Sequence, residues 1–316
     1  MRKFILIGIF FTLAAIPTIA QQDPQFSQYM FNTIYFNPAS AGVDGVTRFS
    51  GIVRSQWTGY TPTSGDGGAP TTQVVSASTP IYKLNSGFGA YIANDRLGPL
   101  NNLEIQGSYA YHLGFKDSKL SFGIRAGAFA QSVNAAQYRA IHPDDQSIPA
   151  GGVQTQIRPD MAAGLFYRKE KYYAGLSFDH LLKSNFDFGT KTRTELQPHI
   201  YFTGGYFYEV NFDLKFQFST LVKSDMTKTT TELSALAYLK DTMWGGLSFR
   251  QSDAVILILG YAFGKDKNFK LGYSLDYIVK DRAAKQPTSH EFLLIYELPS
   301  NVGPSKKVVR TPRYRH

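Results

Sequence analysis

The chain has 316 residues, a formal net charge of +9 and no cysteine, which leaves it neither a disulfide framework nor a thiol for N-terminal lipidation. Its 20 tyrosines, 24 phenylalanines and 28 glycines, at a mean hydropathy of −0.21, suit many amphipathic strands and argue against a helical bundle.

In chain order, residues 1–20 read as an export signal: Arg2 and Lys3, an apolar run from Phe4 to Ile16, then Thr18-Ile19-Ala20 before a cleavage expected after Ala20. The apolar run is shorter than the ~20 residues a spanning helix needs, which disfavours an uncleaved anchor. Loss of Arg2 and Lys3 takes the net charge from +9 to +7 and leaves Gln21 at the mature N-terminus. Residues 21–45 form a pre-strand segment carrying Phe26, Tyr29, Phe31, Tyr35 and Phe36. Burial of each such ring is worth on the order of 1.5–3 kcal/mol, so the segment is expected to pack in the barrel mouth or against a partner. Asn37-Pro38 and Gly42 then turn the chain into the first strand.

From residue 46 to 298 the apolar residues alternate with period two. The cleanest case places Leu103, Ile105, Gly107, Tyr109, Tyr111 and Leu113 on one face and Glu104, Gln106, Ser108, Ala110 and His112 on the other. About fourteen segments follow, near the ~10 residues of a tilted membrane strand: 46–57, 71–82, 86–95, 101–114, 118–131, 157–169, 171–181, 196–209, 211–223, 229–240, 242–252, 254–264, 268–280 and 288–298. The predicted fold is all-β, a transmembrane antiparallel β-barrel, because a soluble sandwich does not call for strands of membrane length with Phe, Tyr and Leu on the apolar face. Very short connections, such as Lys169-Glu170, alternate with long ones, Gly59 to Pro70 and Gln137 to Thr155, as periplasmic turns and extracellular loops do. Trp57, Tyr60, Tyr167, Tyr172, Tyr208 and Trp244 are candidates for interfacial girdles. Arg125, Glu104, Asp213, Lys215 and Asp276 are predicted to face the lumen and to pair there, which fills it with polar groups. Residues 299–316 form a basic tail with Lys306, Lys307, Arg310, Arg313 and Arg315. An export signal removes nucleic acid from its partners and leaves acidic protein surfaces, anionic headgroups or a periplasmic component, with a merely solvated tail as the plain alternative.

The run QDPQFSQYMFNTIYFNPASAG from Gln22 to Gly42 closely resembles the opening of the PorP/SprF family of type IX secretion membrane proteins. RSQW at Arg54–Trp57, GFGAYIANDRLGP at Gly87–Pro99, GGLSFR at Gly245–Arg250, LGYSLDYI at Leu271–Ile278 and SHEFLLIYEL at Ser289–Leu298 are similar to later family landmarks. The resemblance implies an outer-membrane barrel working with the type IX apparatus, either in its core or paired with a large secreted adhesin, gliding-type, held at the surface through its C-terminal domain. The motif positions taken as interaction candidates are Phe26, Tyr29, Phe31, Asn37, Pro38, Arg54, Trp57, Asp95, Gly98, Asp276, His290 and Glu291. The expected partners are the secreted cargo, type IX secretion components and the lipid bilayer.

No catalytic, cofactor-binding or metal site is predicted. Alternation turns His290 away from Ser289 and Glu291, Asp179-His180 fails as a local pair for the same reason, and the His142, Asp144, Asp145 loop matches no calcium-loop spacing. An outer-membrane channel or transporter for small solutes is the competing function, which a filled lumen disfavours.

Overall fold

The computed structural model describes residues 23–61, 68–138, 149, 151–190, 194–280 and 285–298. The predicted signal, the His142, Asp144, Asp145 loop and the tail with Lys306, Lys307, Arg310, Arg313 and Arg315 lie outside the described residues. In chain order the strands are β1 (Thr47–Ser55), β2 (Thr71–Ile81), β3 (Ser86–Leu97), β4 (Leu100–Gly114), β5 (Ser118–Asn134), β6 (Val153–Lys169), β7 (Tyr172–Asp179), β8 (Asn185–Phe186), β9 (Thr194–Glu195), β10 (His199–Glu209), β11 (Leu214–Ser224), β12 (Thr229–Leu239), β13 (Met243–Arg250), β14 (Ala254–Phe263), β15 (Phe269–Ile278) and β16 (Thr288–Leu298). Fourteen of them form one closed antiparallel barrel in which neighbours in sequence are neighbours in space. Strands β8 and β9, a two-stranded ribbon within the connection from β7 to β10, stand apart from it. The barrel closes through β1 and β16, from Thr47 opposite Leu298 to Ser55 opposite His290. Closure leaves no unpaired edge, which a strand in lipid requires.

The long connections, after β1, β5 and β7, share one end, and the tight turns at 170–171, 210–213 and 240–242 share the other. The alternation has the polarity expected of a barrel in lipid. On β4, Ile105, Tyr109 and Tyr111 are exposed while Glu104, Gln106, Ser108 and Ala110 are buried. Outward apolar and inward polar residues continue around the wall, as with exposed Phe218 between buried Gln217 and Ser219. Three expectations need correction. Asp213 is exposed in the turn ahead of β11 and does not face the lumen. Trp244 is buried inside against Phe31 and Tyr238, and Trp57 lines an inner vestibule, so neither belongs to a lipid girdle. Tyr172 and Tyr208 do face outward.

The lumen is filled by residues 23–46, which run its height from beside the long-loop end, where Asp23 sits, to the start of β1 at the short-turn end. The segment therefore goes deeper than the mouth. It folds as three short turns of helix, Tyr29–Phe31, Thr33–Phe36 and Pro38–Ser40. Phe26, Tyr29, Tyr35 and Phe36 are each at most 3% exposed and join Tyr91, Tyr201 and Trp244 in one apolar cluster inside the barrel. Phe26 meets Tyr35 and Phe36 edge-on at centroid distances of 5.0 and 6.0 Å.

Two wall glycines let the plug backbone lie directly on the sheet. A Cβ at Gly123 would stand 2.2 Å from the Ala39 nitrogen, and one at Gly87 would stand 2.0 Å from the Ala41 carbonyl oxygen. Backbone on both sides has no side-chain tip to swing away. Gly123→Ala is expected to cost about 1–3 kcal/mol of overpacking and to loosen the plug. The check is the temperature at which the folded barrel loses its compact mobility in detergent gels; an unchanged temperature would mean that the plug does not press on this wall.

Candidate functional site

Plug and wall meet in two buried polar clusters. In the first, β1 brings Arg54, β13 Arg250, β12 Glu232, β15 Asp276 and β16 Glu291 into the lumen, because each occupies an inward position of its strand. Arg54 Nη2 donates to Asp276 Oδ2 at 2.7 Å and Nη1 to Glu291 Oε2 at 3.3 Å. Arg250 Nε donates to Glu232 Oε2 at 2.7 Å and Nη1 to Asp276 Oδ2 at 3.2 Å. The plug enters this network at Ser27 and Gln28. Their backbone N–H groups donate to the Glu291 carboxylate at 2.8 and 2.9 Å, and the Ser27 hydroxyl donates to Asp276 while accepting from Arg54 at 2.8 Å. None of these side chains is more than 3% exposed, so each charge depends on these partners.

The second cluster surrounds Asp23. His180 follows β7 and bridges two carboxylates, with Nε2 3.0 Å from Asp23 Oδ1 and Nδ1 3.0 Å from Asp160 Oδ2. His199 opens β10; its Nδ1 lies 2.9 Å from the Gln197 carbonyl and 3.5 Å from Asp23 Oδ2. Tyr201 donates to Asp23, and Lys223 donates to the Asp23 backbone carbonyl. Arg125 pairs with Asp179 and donates from Nη1 to the Tyr35 carbonyl at 2.7 Å. Burial favours the neutral form of Asp23, but the charges of His199, His180 and Lys223 hold its carboxyl well below the usual range. Burial likewise works against charge on His180, and the Asp23 and Asp160 carboxylates outweigh it and raise the imidazole well above its ordinary value.

At the middle of the plug, Asn37 Nδ2 donates to the carbonyls of Leu165 at 2.9 Å and Leu176 at 3.3 Å, and its Oδ1 caps the Pro38–Ser40 turn by accepting from the Ala39 N–H. A cavity of about 440 Å³ lies at the long-loop end, lined by Asp23, Arg54, Trp57, Asp95, Lys228 and Lys285 among others. A second, of about 420 Å³ at the short-turn end, is lined by Phe31, Arg48, Arg168, Lys215, Tyr238 and Glu297 among others.

The sequence candidates thus divide. Arg54, Asp276 and Glu291 converge in one network, and Phe26, Tyr29, Asn37 and Pro38 are the core of the plug it holds. Phe31 packs on Trp244, and Asp95 lies elsewhere in the lumen, accepting from Thr72. Gly98 makes the turn between β3 and β4 at φ +58°, and His290 bonds Tyr273 on the outer face, so neither joins the site. Of the predicted luminal charges, Arg125 and Asp276 pair as expected, whereas Glu104 accepts from the Tyr91 hydroxyl at 2.8 Å and Lys215 meets Asp241 at the short-turn rim. Sequence reasoning set His180 aside as a local pair with Asp179, named Arg250 only as the end of the GGLSFR landmark, and passed over Glu232, His199 and Lys223; their signal was a charged or imidazole group at an inward position or directly after a strand.

The profile of the family described as type IX secretion system membrane protein PorP/SprF matches residues 18–296. No curated protein matches the sequence. Similar solved structures include a Pseudomonas aeruginosa FadL homologue, 14% identical over 87% of this chain and 94% of that one at a TM-score of 0.46. Another is the TodX deltaS2S3 mutant monoaromatic hydrocarbon channel, 11% identical over 84% of this chain and 93% of that one at 0.49. A third is the Acinetobacter baumannii outer membrane protein Omp33, 7% identical over 80% of this chain and 98% of that one at 0.44.

Proposed function

The chain belongs to the PorP/SprF family of type IX secretion system membrane proteins, and from that membership we propose that it is a non-catalytic platform that supports secretion and cell-surface anchoring of a large cargo protein. It is an outer-membrane β-barrel, and its family ties it to the other components of that secretion system. In this reading residues 1–20 are a cleaved export signal and the long loops face outward. The cargo is a gliding-type adhesin engaged through its C-terminal domain, and the basic tail meets components in the periplasm.

The observation that carries the reading is the plug. A wide lumen occupied by the chain's own aromatic and ion-paired segment is a rigid support rather than an open conduit. Cells lacking the protein are expected to lose display of one large surface protein while taking up small solutes normally. Purification under mild detergent is expected to retain that protein through its C-terminal domain. Normal display together with a solute-uptake defect would instead identify a channel or transporter.

A further inference from the structure

Among the described residues, the Asp23 cluster gathers more carboxyl groups than cations. Asp23, Glu104, Asp160 and Asp179 are four carboxyl groups, each at most 6% exposed, and they face Arg125, Lys223 and the His180 imidazole. Lys223 is shared with Asp95 and Asp225, which deepens the deficit. Acceptors are also in excess: among the described residues Asp160 Oδ1 and Asp179 Oδ1 have no hydrogen-bond partner, and neither does His199 Nε2, although the His199 side chain is 0% exposed. Buried acceptors without donors around uncompensated carboxylates call for a cation.

Asp23, His180 and His199 each offer one ligand atom, and these atoms lie within 4.8 Å of one another. We propose that these three residues bind a divalent transition-metal ion, with Zn²⁺ the first choice, and that the ion clamps the plug to the barrel wall. Two imidazoles and a carboxylate are the donor set of a borderline metal rather than of Ca²⁺ or Mg²⁺, which prefer oxygen ligands alone. The surroundings match what such imidazoles need: His180 holds Asp160 with one ring nitrogen, and His199 holds the Gln197 carbonyl, contacts that fix ring orientation. Coordination displaces the proton of His180, and the two charges of the ion, with Arg125 and Lys223, then match the four carboxyl groups in their ionised form. Because Asp23 belongs to the plug and both histidines to the wall, the ion would join what the sequence keeps far apart.

The test uses the full-length barrel, carrying no polyhistidine tag, stripped with chelator in detergent and titrated with ZnCl₂. One Zn²⁺ per chain is expected, with X-ray absorption showing nitrogen and oxygen neighbours at about 2.0–2.1 Å. His199→Asn and Asp23→Asn are expected to abolish this uptake, and Asp160→Asn to weaken it about 10–100-fold while leaving the ligands in place. Each variant is first checked for the heat-dependent gel shift of a folded barrel; should one fail to fold, the wild-type stoichiometry and absorption spectrum still decide. The proposal is overturned by the absence of stoichiometric uptake in the wild type, by uptake that survives His199→Asn, or by a spectrum without imidazole.

Discussion

Arg54→Met is expected to lower the stability of the folded barrel by about 3–5 kcal/mol, because it strips two fully buried carboxylates of a shared cation. Arg250 stays 3.2 Å from Asp276 and compensates that carboxylate in part. Among the described residues, Glu291 has no such reserve. Its remaining partners are the N–H groups of Ser27 and Gln28, so the uncompensated charge falls on the plug's own attachment. Adding Glu291→Gln to Arg54→Met removes the orphaned charge while keeping an acceptor for those N–H groups, so the double variant is expected to be more stable than Arg54→Met alone. Urea unfolding in lipid vesicles checks both. A midpoint for Arg54→Met equal to that of the wild type, or a double variant that simply sums the losses of the two single changes, would show that the network does not hold the plug.

Deleting residues 24–44 is expected to convert a silent barrel into an ion-conducting pore. Eight strands enclose a space that wall side chains fill, whereas sixteen leave an aqueous channel, and the fourteen strands here need more than their own side chains to close the lumen. The plug supplies that filling with Phe26, Tyr29, Tyr35 and Phe36. Planar-bilayer recordings are expected to be quiet for the wild type and to show stepwise conductance for the deletion. The Arg54→Met variant with an intact plug is expected to lie between, opening intermittently as the plug loosens. A deletion that runs as a folded barrel yet stays silent would mean that the wall side chains close the lumen unaided.

The two predictions draw on different depths of the sequence. All fourteen barrel strands were legible; at β2, β4, β14 and β16 predicted and observed limits agree within about one residue, whereas β5, β6, β10 and β11 differ at one end by three or four. The reason is local: a strand between lipid and a polar lumen must alternate, and an apolar residue at a luminal position would be misplaced at once. Asp213 and Trp244 show where that rule fails. At a turn the parity of a strand no longer decides which way a charge points, and an aromatic is as well buried against Phe31 inside as against lipid outside. The ribbon of β8 and β9 had no signal, since two-residue strands are too short to alternate.

By itself, then, the sequence determined the all-β barrel, its lipid-facing surface, the need to bury the aromatic run from Phe26 to Phe36, and the motifs that resemble the family. Only the tertiary structure decided where that run lies and what holds it. Ser27 meets Glu291 and Asp276, and Asp23 meets His180 and His199, across separations of more than a hundred residues. Alternation says that a charge faces the lumen, but the partner it finds there depends on barrel closure and on the path of the plug.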